Sequence, residues 1–162
     1  MAPLSVAVHG ATGRVGKEIV LALCGDPDLI PVGAVSLDAD GKPLQLPDGS
    51  SDIPHTLDFA SLIKKVAPQV IVDFSRPEVS MDMSRTAIHN GIHFVVGTSG
   101  LTDDNIKELD ELSKANNVGG VVAANFAIGA VLMIHMAKIA GKYFDYAEII
   151  ERHHATKVDA PS

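Results

Sequence analysis

Apolar residues recur along this chain with two different spacings. Short runs rich in valine and isoleucine, typical of β-strands, alternate with segments in which apolar residues recur at helical spacing. The strand-like runs cover residues 5–9, 30–37, 69–74, 92–96 and 118–123. The helical segments cover residues 14–24, 57–66, 78–90 and 103–115, the last with Thr102 as its cap. Five strands alternating with helices predict an α/β fold with a doubly wound parallel sheet.

Two stretches depart from this alternation. Residues 39–56 contain three prolines, two glycines and three aspartates without a usable period, which predicts a loop long enough to be mobile. After residue 126 the pattern predicts a helix over 127–144 and a strand over 146–152. That strand has no partner nearby in the sequence, so we expect the segment after Asp145 to be mobile or to pair with itself.

Composition narrows the functional classes. The net charge of −7 argues against general binding to nucleic acid or acidic membranes, because phosphate groups require a basic surface. No window approaches the roughly 18 uninterrupted apolar residues of a membrane-spanning helix. The N-terminus lacks the pattern of a secretory signal, and the single Cys24 has no partner for an internal disulfide. We therefore expect a soluble, cytoplasmic protein, and the histidine and cysteine spacing predicts no metal site.

A glycine-rich turn links the first predicted strand to the first helix. It reads G-A-T-G-R-V-G, with glycine at positions 10, 13 and 16. In a Rossmann-type sheet, Gly10 would turn the chain, Gly13 would let backbone approach a diphosphate, and Gly16 would allow close packing of helix and strand. The diphosphate would lie at the helix N-terminus. A plain glycine-rich turn is the alternative.

An acidic residue follows at the expected distance. Asp38 lies 22 positions beyond Gly16, close to the roughly 20 expected for a carboxylate that binds the cofactor ribose. A solvated loop aspartate is the alternative. Because ligands of such sheets bind beyond the carboxyl ends of the strands, the residues after the other strands are further candidates. These lie at 74–77, 97–100 and 123–126.

The last fifteen residues concentrate titratable groups. The sequence EIIERHHATKVDAPS brings His153, His154 and Lys157 into five residues. Histidine exchanges protons near neutral pH, and an ammonium group beside it can donate a proton or hold a carboxylate. The pattern therefore indicates acid–base chemistry, with a solvated polar loop as the alternative.

Five motifs together resemble the 4-hydroxy-tetrahydrodipicolinate reductase (dihydrodipicolinate reductase) family of lysine and diaminopimelate biosynthesis. They are VAVHGATGRVGKEI, VDFSRPE, VVGTSGLT, AANFAIGAVLM and EIIERHHATKVDAPS. The resemblance implies an NADH- or NADPH-dependent reductase of a small dicarboxylate. It also implies that His153 is the catalytic acid/base residue, that Lys157 is the proton donor, and that His154 belongs to the substrate site.

The same resemblance implies a set of cofactor contacts in the loops that follow the strands. They are Gly10, Ala11, Thr12, Gly13, Arg14, Val15, Asp38, Phe74, Gly97, Thr98, Ser99, Ala123, Ala124, Asn125 and Phe126. Some family members have an arginine at the position of Ala39. In those members the arginine would favour NADPH, the cofactor that carries a 2′-phosphate.

The resemblance also suggests a domain organisation. We expect a dinucleotide-binding domain over residues 1–126 and the beginning of an α+β substrate-binding and oligomerisation domain over residues 127–162. The family continues into a Gly-Thr pair after the final serine. The chain is therefore expected to be an incomplete enzyme that binds cofactor without appreciable turnover, and the full-length protein is expected to be a homotetramer.

Two other functions remain open. A non-catalytic nucleotide-sensing module would keep the glycine loop and Asp38 but has no use for paired histidines and a lysine. Another dehydrogenase on the same scaffold, such as a homoserine or semialdehyde enzyme, would lack the H-H-x-x-K-x-D-A-P-S string.

Overall fold

A computed structural model describes residues 2–123, 125–150 and 152 of the chain. The chain forms two compact units, the first ending at Val122 and the second beginning at Ala123. The first unit holds a six-stranded sheet. Its strands are β1 (Leu4–His9), β2 (Leu29–Val35), β5 (His55–Thr56), β6 (Val70–Asp73), β7 (His93–Val96) and β8 (Gly120–Val122). Their order across the sheet is β5-β2-β1-β6-β7-β8.

All neighbouring strands of this sheet pair in parallel. The chain starts in the middle at β1, moves outward through β2 to β5, and then crosses to β6 on the other side of β1. The direction of winding therefore reverses between β1 and β6, which is where such sheets bind ligands. The predicted doubly wound parallel sheet is confirmed, with one more strand than the five predicted.

Four helices belong to the first unit. They are α1 (Arg14–Gly25), α2 (Phe59–Ile63), α3 (Pro77–His89) and α4 (Asp103–Asn116). The predicted cap of α4 is present, since the Thr102 side chain accepts a hydrogen bond from the backbone N–H of Asn105 and the Asn105 side chain accepts one from Thr102. The predicted helix over 57–66 is shorter than expected, because Asp58 forms its N-cap and Lys64 its C-cap.

The helices cover both faces of the sheet because alternate strand residues point to opposite sides. On one face, Val6, Val8 and Ala34 pack with Val20 and Leu23 of α1. The opposite face packs against α2, α3 and α4 through a larger set of buried residues, including Ala7, Val35, Leu62, Ile71, Ile88, Phe94 and Leu109. This packing fixes the strand ends that form the candidate site.

The prediction that residues 39–56 form only a mobile loop is wrong. The segment contains an antiparallel pair, β3 (Leu44–Gln45) with β4 (Asp52–Ile53), and then the edge strand β5. Leu46 and Ile53 are buried in the core on the α1 side. Hydrophobic burial therefore orders this segment, although its two-residue strands are too short to show a period.

The second unit contains one helix among its described residues, α5 (Ile128–Ala140). This helix is shorter than the predicted 127–144 because Gly141 forms its C-cap. The strand predicted over 146–152 is absent from residues 146–150, which have no regular structure. Ile149 and Ile150 are exposed there, so the alternation of apolar residues lacks the partner strand that would bury it.

Candidate functional site

The carboxyl ends of β1, β2 and β6 converge on a cavity of about 310 Å³ in the first unit. Its lining combines backbone of the glycine loop with polar and apolar side chains from the three strand ends. The lining residues are His9, Gly10, Thr12, Gly13, Ser36, Leu37, Asp38, Leu57, Phe74, Ser75, Arg76 and Val79. This is the position at which the sequence predicted a dinucleotide, at the reversal between β1 and β6.

The glycine loop is held by close backbone contacts. Gly10 has φ +80°, a conformation that side chains rarely adopt, and a Cβ there would lie 2.7 Å from the carbonyl oxygen of Phe74. A Cβ at Gly16 would lie 2.0 Å from the carbonyl oxygen of Gly10. Glycine at these two positions therefore lets α1 begin directly against the end of β1, as the spacing predicted.

The loop leaves a short row of backbone donors at the start of α1. Gly10 and Ala11 donate their N–H groups to the carbonyl oxygen of Val35, and Gly13 donates to Gly10. In contrast, the N–H groups of residues 14–16 lie in the first helical turn and find no acceptor among the described residues. Gly13 is the N-cap and has no side chain to occupy them. The arrangement fits a diphosphate at this helix end.

Ala11 and Thr12 have different roles within the loop. The Ala11 side chain is buried in the core, so it offers only backbone to a ligand. The Thr12 hydroxyl donates a 2.7 Å hydrogen bond to Oδ1 of Asp38, and the Thr12 N–H donates to Oγ of Ser36 at 3.3 Å. The loop is thereby tied to the end of β2, with the Asp38 carboxylate beside it at the cavity.

Phe74 and Gly97 meet after β6 and β7. A Cβ at Gly97 would lie 2.2 Å from the Phe74 ring, so the ring packs over the glycine backbone. Next to them, the Thr98 hydroxyl accepts a 3.0 Å hydrogen bond from the backbone N–H of Ser75. Ser99 follows Thr98 in the same loop. These candidate residues therefore belong to one packed corner formed by two loops.

A buried carboxylate that sequence reasoning missed lies under this corner. Asp73, the last residue of β6, is fully buried and contacts the side chains of His9, Ser75, Ser80 and Thr98. Burial alone would raise the pKa of the Asp73 carboxyl, but the interactions with His9, Ser75 and Ser80 together outweigh it and hold the pKa below its ordinary value. Asp73 therefore remains ionised in the interior.

Seven cavity residues were not among the contacts that the resemblance implied: His9, Ser36, Leu37, Leu57, Ser75, Arg76 and Val79. Of these, Ser75 and Arg76 lie in the segment 74–77, which the sequence indicated by its position after a strand. Leu37 and Leu57 are large apolar side chains with exposed fractions of 70% and 60%. Both leucines follow strand ends, which was the only feature of the sequence that could have indicated them as cavity residues. That feature was not sufficient, because single exposed leucines are common on protein surfaces. Apolar side chains beside Asp38 could pack against the flat face of an aromatic ligand.

The remaining predicted residues lie in the second unit or beyond the described part of the chain. Ala123, Asn125 and Phe126 belong to the second unit, where Asn125 Oδ1 accepts a 2.9 Å hydrogen bond from the N–H of Ala127. The predicted contact Ala124 lies outside the described residues. The predicted catalytic residues His153 and Lys157, and the predicted substrate residue His154, also lie outside them.

Neither a metal-binding cluster nor a membrane-spanning helix is present in the part of the chain that the structure describes. Within residues 2–123, 125–150 and 152, no cluster of three or more histidine, cysteine or acidic side chains is arranged to hold a metal ion. The helices in this part of the chain are each too short or too polar to cross a membrane.

Comparison with known sequences identifies related proteins. The family model described as dihydrodipicolinate reductase, N-terminus, matches residues 4–126. The 4-hydroxy-tetrahydrodipicolinate reductase of Dehalococcoides mccartyi strain BAV1 is 41% identical over 162 residues, which is all of this chain and 62% of the relative. The enzyme of the same name from Listeria welshimeri is 37% identical over 161 residues. The chain thus spans about 62% of the length of the curated relatives that it matches.

Solved structures give a consistent result. A dihydrodipicolinate reductase from Paenisporosarcina sp. TG-14, solved with dipicolinate bound, has a TM-score of 0.79 and 34% identity. The match covers 99% of this chain and 62% of that protein. A homoserine dehydrogenase from S. aureus has a TM-score of 0.64 at 23% identity and covers 76% of this chain, a likeness in fold alone.

Proposed function

Because the chain belongs to the dihydrodipicolinate reductase family, we propose that it is the cofactor-binding part of a reductase that converts 4-hydroxy-tetrahydrodipicolinate to tetrahydrodipicolinate. The cofactor is NADH or NADPH, which this family uses. The proposal places the reaction in lysine and diaminopimelate biosynthesis, the setting of the related enzymes.

One observation carries the proposal: the glycine loop and Asp38 line the same cavity at the reversal point of the sheet. The N–H groups of residues 14–16 would bind the diphosphate, since they lie at a helix N-terminus and lack acceptors among the described residues. Asp38 would accept hydrogen bonds from the ribose hydroxyls. Leu37 and Leu57 would pack against the adenine ring.

When bound, the reduced nicotinamide supplies a hydride to the substrate. The chain must position that ring, exclude water and provide a proton. The packed corner of Phe74 and Gly97 offers a rigid surface on the β6 and β7 side of the cavity. On the family resemblance we also propose Thr98, Ser99 and residues 123–126 as cofactor contacts.

We propose His153 as the acid/base residue, Lys157 as the proton donor and His154 as a substrate-binding residue. The family resemblance supports these roles, and so does their chemistry. An imidazole and an ammonium group can supply a proton and balance the two carboxylates of the substrate. The related enzyme from Paenisporosarcina binds dipicolinate, a compound with two carboxylates, which supports a small dicarboxylate as the ligand here.

The experiment is a steady-state assay of the protein with its natural C-terminus, following the near-ultraviolet absorbance of NADH. His153→Ala and Lys157→Ala should each lower turnover at least about a hundredfold, since a well-placed general acid contributes 10²–10⁴ in rate. Cofactor affinity should stay within about threefold, because these residues act on the substrate. Wild-type turnover in either variant would refute the catalytic assignment.

The same assay distinguishes the other proposed classes. A nucleotide-sensing module would bind NADH but leave its absorbance unchanged with every candidate substrate, including 4-hydroxy-tetrahydrodipicolinate. A homoserine or semialdehyde dehydrogenase would consume or form NADH only with those substrates. We further propose that the protein acts in the cytoplasm and assembles as a homotetramer; sedimentation of the protein at several concentrations tests the assembly.

A further inference from the structure

Asp73 is surrounded by four polar side chains although no cofactor or substrate role is assigned to it. Oδ1 accepts a hydrogen bond from Oγ of Ser75, and His9 Nδ1 lies 2.8 Å from the same oxygen. Oδ2 accepts from Oγ of Ser80 and, at 2.9 Å, from Oγ1 of Thr98. Three hydroxyl donors and the His9 ring thus surround both oxygens, which have about four acceptor directions in an ionised carboxylate. Asp73 is therefore placed to hold other groups and not to contact a ligand.

The four side chains around Asp73 come from four separate segments of the first unit. His9 ends β1, Ser75 lies in the loop after β6, Ser80 is on α3, and Thr98 lies in the loop after β7. Apart from the carboxylate, the two loops are joined by the Ser75 N–H to Thr98 Oγ1 bond, by the Gly97 N–H to Asp73 carbonyl bond and by packing of the Phe74 ring on Gly97. The carboxylate therefore connects the ends of β1, β6 and β7 with α3, and His9 and Ser75 among its partners line the cavity.

Three of these four side chains, all except Ser80, lie at or next to a residue proposed for the cofactor site. His9 precedes Gly10, Phe74 lies between Asp73 and Ser75, and Thr98 is itself a candidate contact. The contact between Gly10 and the Phe74 carbonyl depends on the backbone at this junction, where a Cβ at Gly10 would clash at 2.7 Å. A shift of the loop after β6 would therefore alter both the glycine loop and the Phe74 ring.

We propose that Asp73 is a positioning residue of the cofactor site: its buried carboxylate holds the ends of β1, β6 and β7 in the geometry that binds the nicotinamide cofactor. The inference rests on the proposed function, since it requires that this cavity bind NADH or NADPH. It assigns no catalytic role to Asp73, which acts only through Phe74, Ser75 and Thr98.

The expected size of the effect follows from the population of the competent geometry. The apparent dissociation constant equals the intrinsic value divided by the fraction of molecules in the binding geometry. If losing one donor lets the loops adopt that geometry only about a fifth of the time, the dissociation constant for NADH rises about fivefold. A group that contributed only to overall stability would leave the affinity of the folded chain unchanged.

α3 offers a matched pair of variants. Ser80 and Ser84 are both fully buried and one helical turn apart, but Ser80 donates to Asp73 whereas Ser84 Oγ has no hydrogen-bond partner within the described part of the chain. Calorimetric titration of the folded chain with NADH should show an approximately fivefold weaker affinity for Ser80→Ala. Ser84→Ala should stay within about twofold of wild type. Equal affinities in the two variants would overturn the proposal.

A double-variant cycle supplies a second readout. Thr98→Val and Ser80→Ala both act on Oδ2 of Asp73, so their effects on NADH affinity should not multiply. In the Thr98→Val background, Ser80→Ala should raise the dissociation constant by less than about twofold. A full fivefold increase in both backgrounds would show that the two hydroxyls act independently and would also overturn the proposal.

Folding of each variant is checked by circular dichroism before titration. If Ser80→Ala does not fold, Ser75→Ala takes its place, because it removes a donor in a half-buried loop instead of the core. An unchanged NADH affinity in that variant would count against Asp73. Failure of the wild-type chain to bind NADH is a different result: it would refute the proposed function, and this inference with it.

Discussion

The hydroxyl of Thr12 donates a hydrogen bond to Oδ1 of Asp38 at 2.7 Å, joining residues that are 26 positions apart. The bond connects the glycine loop after β1 to the acid after β2, and it fixes the orientation of the carboxylate at the cavity. Because Thr12 engages Oδ1, Oδ2 of Asp38 would be the oxygen available to the proposed ribose. The glycine loop and Asp38, the two sequence features that indicated a dinucleotide, are therefore in direct contact in the structure.

The first prediction concerns the choice between the two cofactors. NADH should bind with an affinity not much below that of NADPH, because a 2′-phosphate placed against Asp38 meets like charge. Lys42, a cation that could offset it, already contacts Asp40 at 3.0 Å. Calorimetric titration with both cofactors checks this. A preference for NADPH above about tenfold, roughly 1.4 kcal/mol, would mean that nearby cations dominate.

Removing the acid should reverse the preference. Asp38→Ala is expected to shift the ratio of affinities toward NADPH, since the ribose loses its acceptor and the 2′-phosphate loses its repulsion. Asp48→Ala is the control, because it removes the same charge from an exposed loop residue that does not line this cavity. If both variants keep the wild-type ratio, Asp38 is not part of the site.

The second prediction concerns the packing of α1 against β1. Gly16→Ala should destabilise the first unit by about 1–3 kcal/mol, because its Cβ would lie 2.0 Å from the backbone oxygen of Gly10. Gly25→Ala in the same helix is the control: nothing lies within 4 Å, so higher helix propensity should leave stability unchanged or raise it by up to about 1 kcal/mol. Urea unfolding measures both. Equal stability of the two variants would contradict the close packing.

The third prediction concerns stability in acid. Since the pKa of Asp73 is held below its ordinary value in the folded chain, the carboxylate contributes stability that is fully present above the unfolded-state pKa of about 3.9. That contribution is lost as pH falls through the folded-state pKa. Asp73→Asn should therefore be less stable than wild type by about 3 kcal/mol near neutral pH, where it leaves His9 and three hydroxyls poorly matched.

The comparison is made by urea unfolding of wild type and Asp73→Asn at a series of pH values. The difference should shrink below about pH 4, as the wild-type carboxyl becomes protonated. The other carboxyl groups are common to both chains, but His9 faces a carboxylate only in wild type, so the comparison is confined to pH values below about 5. A difference that grows as pH falls from about 5 to 3 would contradict an ionised Asp73.

Local patterns were sufficient to predict the parts of the fold with a clear period. The spacing of Gly10, Gly13 and Gly16 identified the first strand, turn and helix. A tight turn followed by close packing of a helix on a strand requires residues without a side chain, and this spacing is typical of such a turn. Thr102 likewise identified the start of α4. In contrast, β3, β4 and β5 have two residues each, so no alternation could reveal them, and burial of Leu46 and Ile53 orders that segment instead.

The candidate site was likewise predicted only in part from the sequence. The sequence indicated Asp38 by its distance from the glycine loop, and the structure places it in the cavity. Asp73 gave no such signal, because its partners His9 and Thr98 come from distant positions and only the pairing of β1, β6 and β7 brings them together. The prediction of a strand over 146–152 was wrong for residues 146–150 for a related reason. Alternating apolar residues indicate a buried face only when a partner strand is present to cover it.

The central claim, that this chain binds a reduced nicotinamide dinucleotide through the glycine loop and Asp38, is tested most directly by calorimetric titration of the folded chain with NADH. The chain contains no tryptophan, so the heat of binding is a more suitable signal than tryptophan quenching. The account predicts saturable binding of one NADH per chain in the micromolar range, weakened by Asp38→Ala. Absence of binding by either NADH or NADPH up to about 1 mM, in a chain shown to be folded, would contradict it.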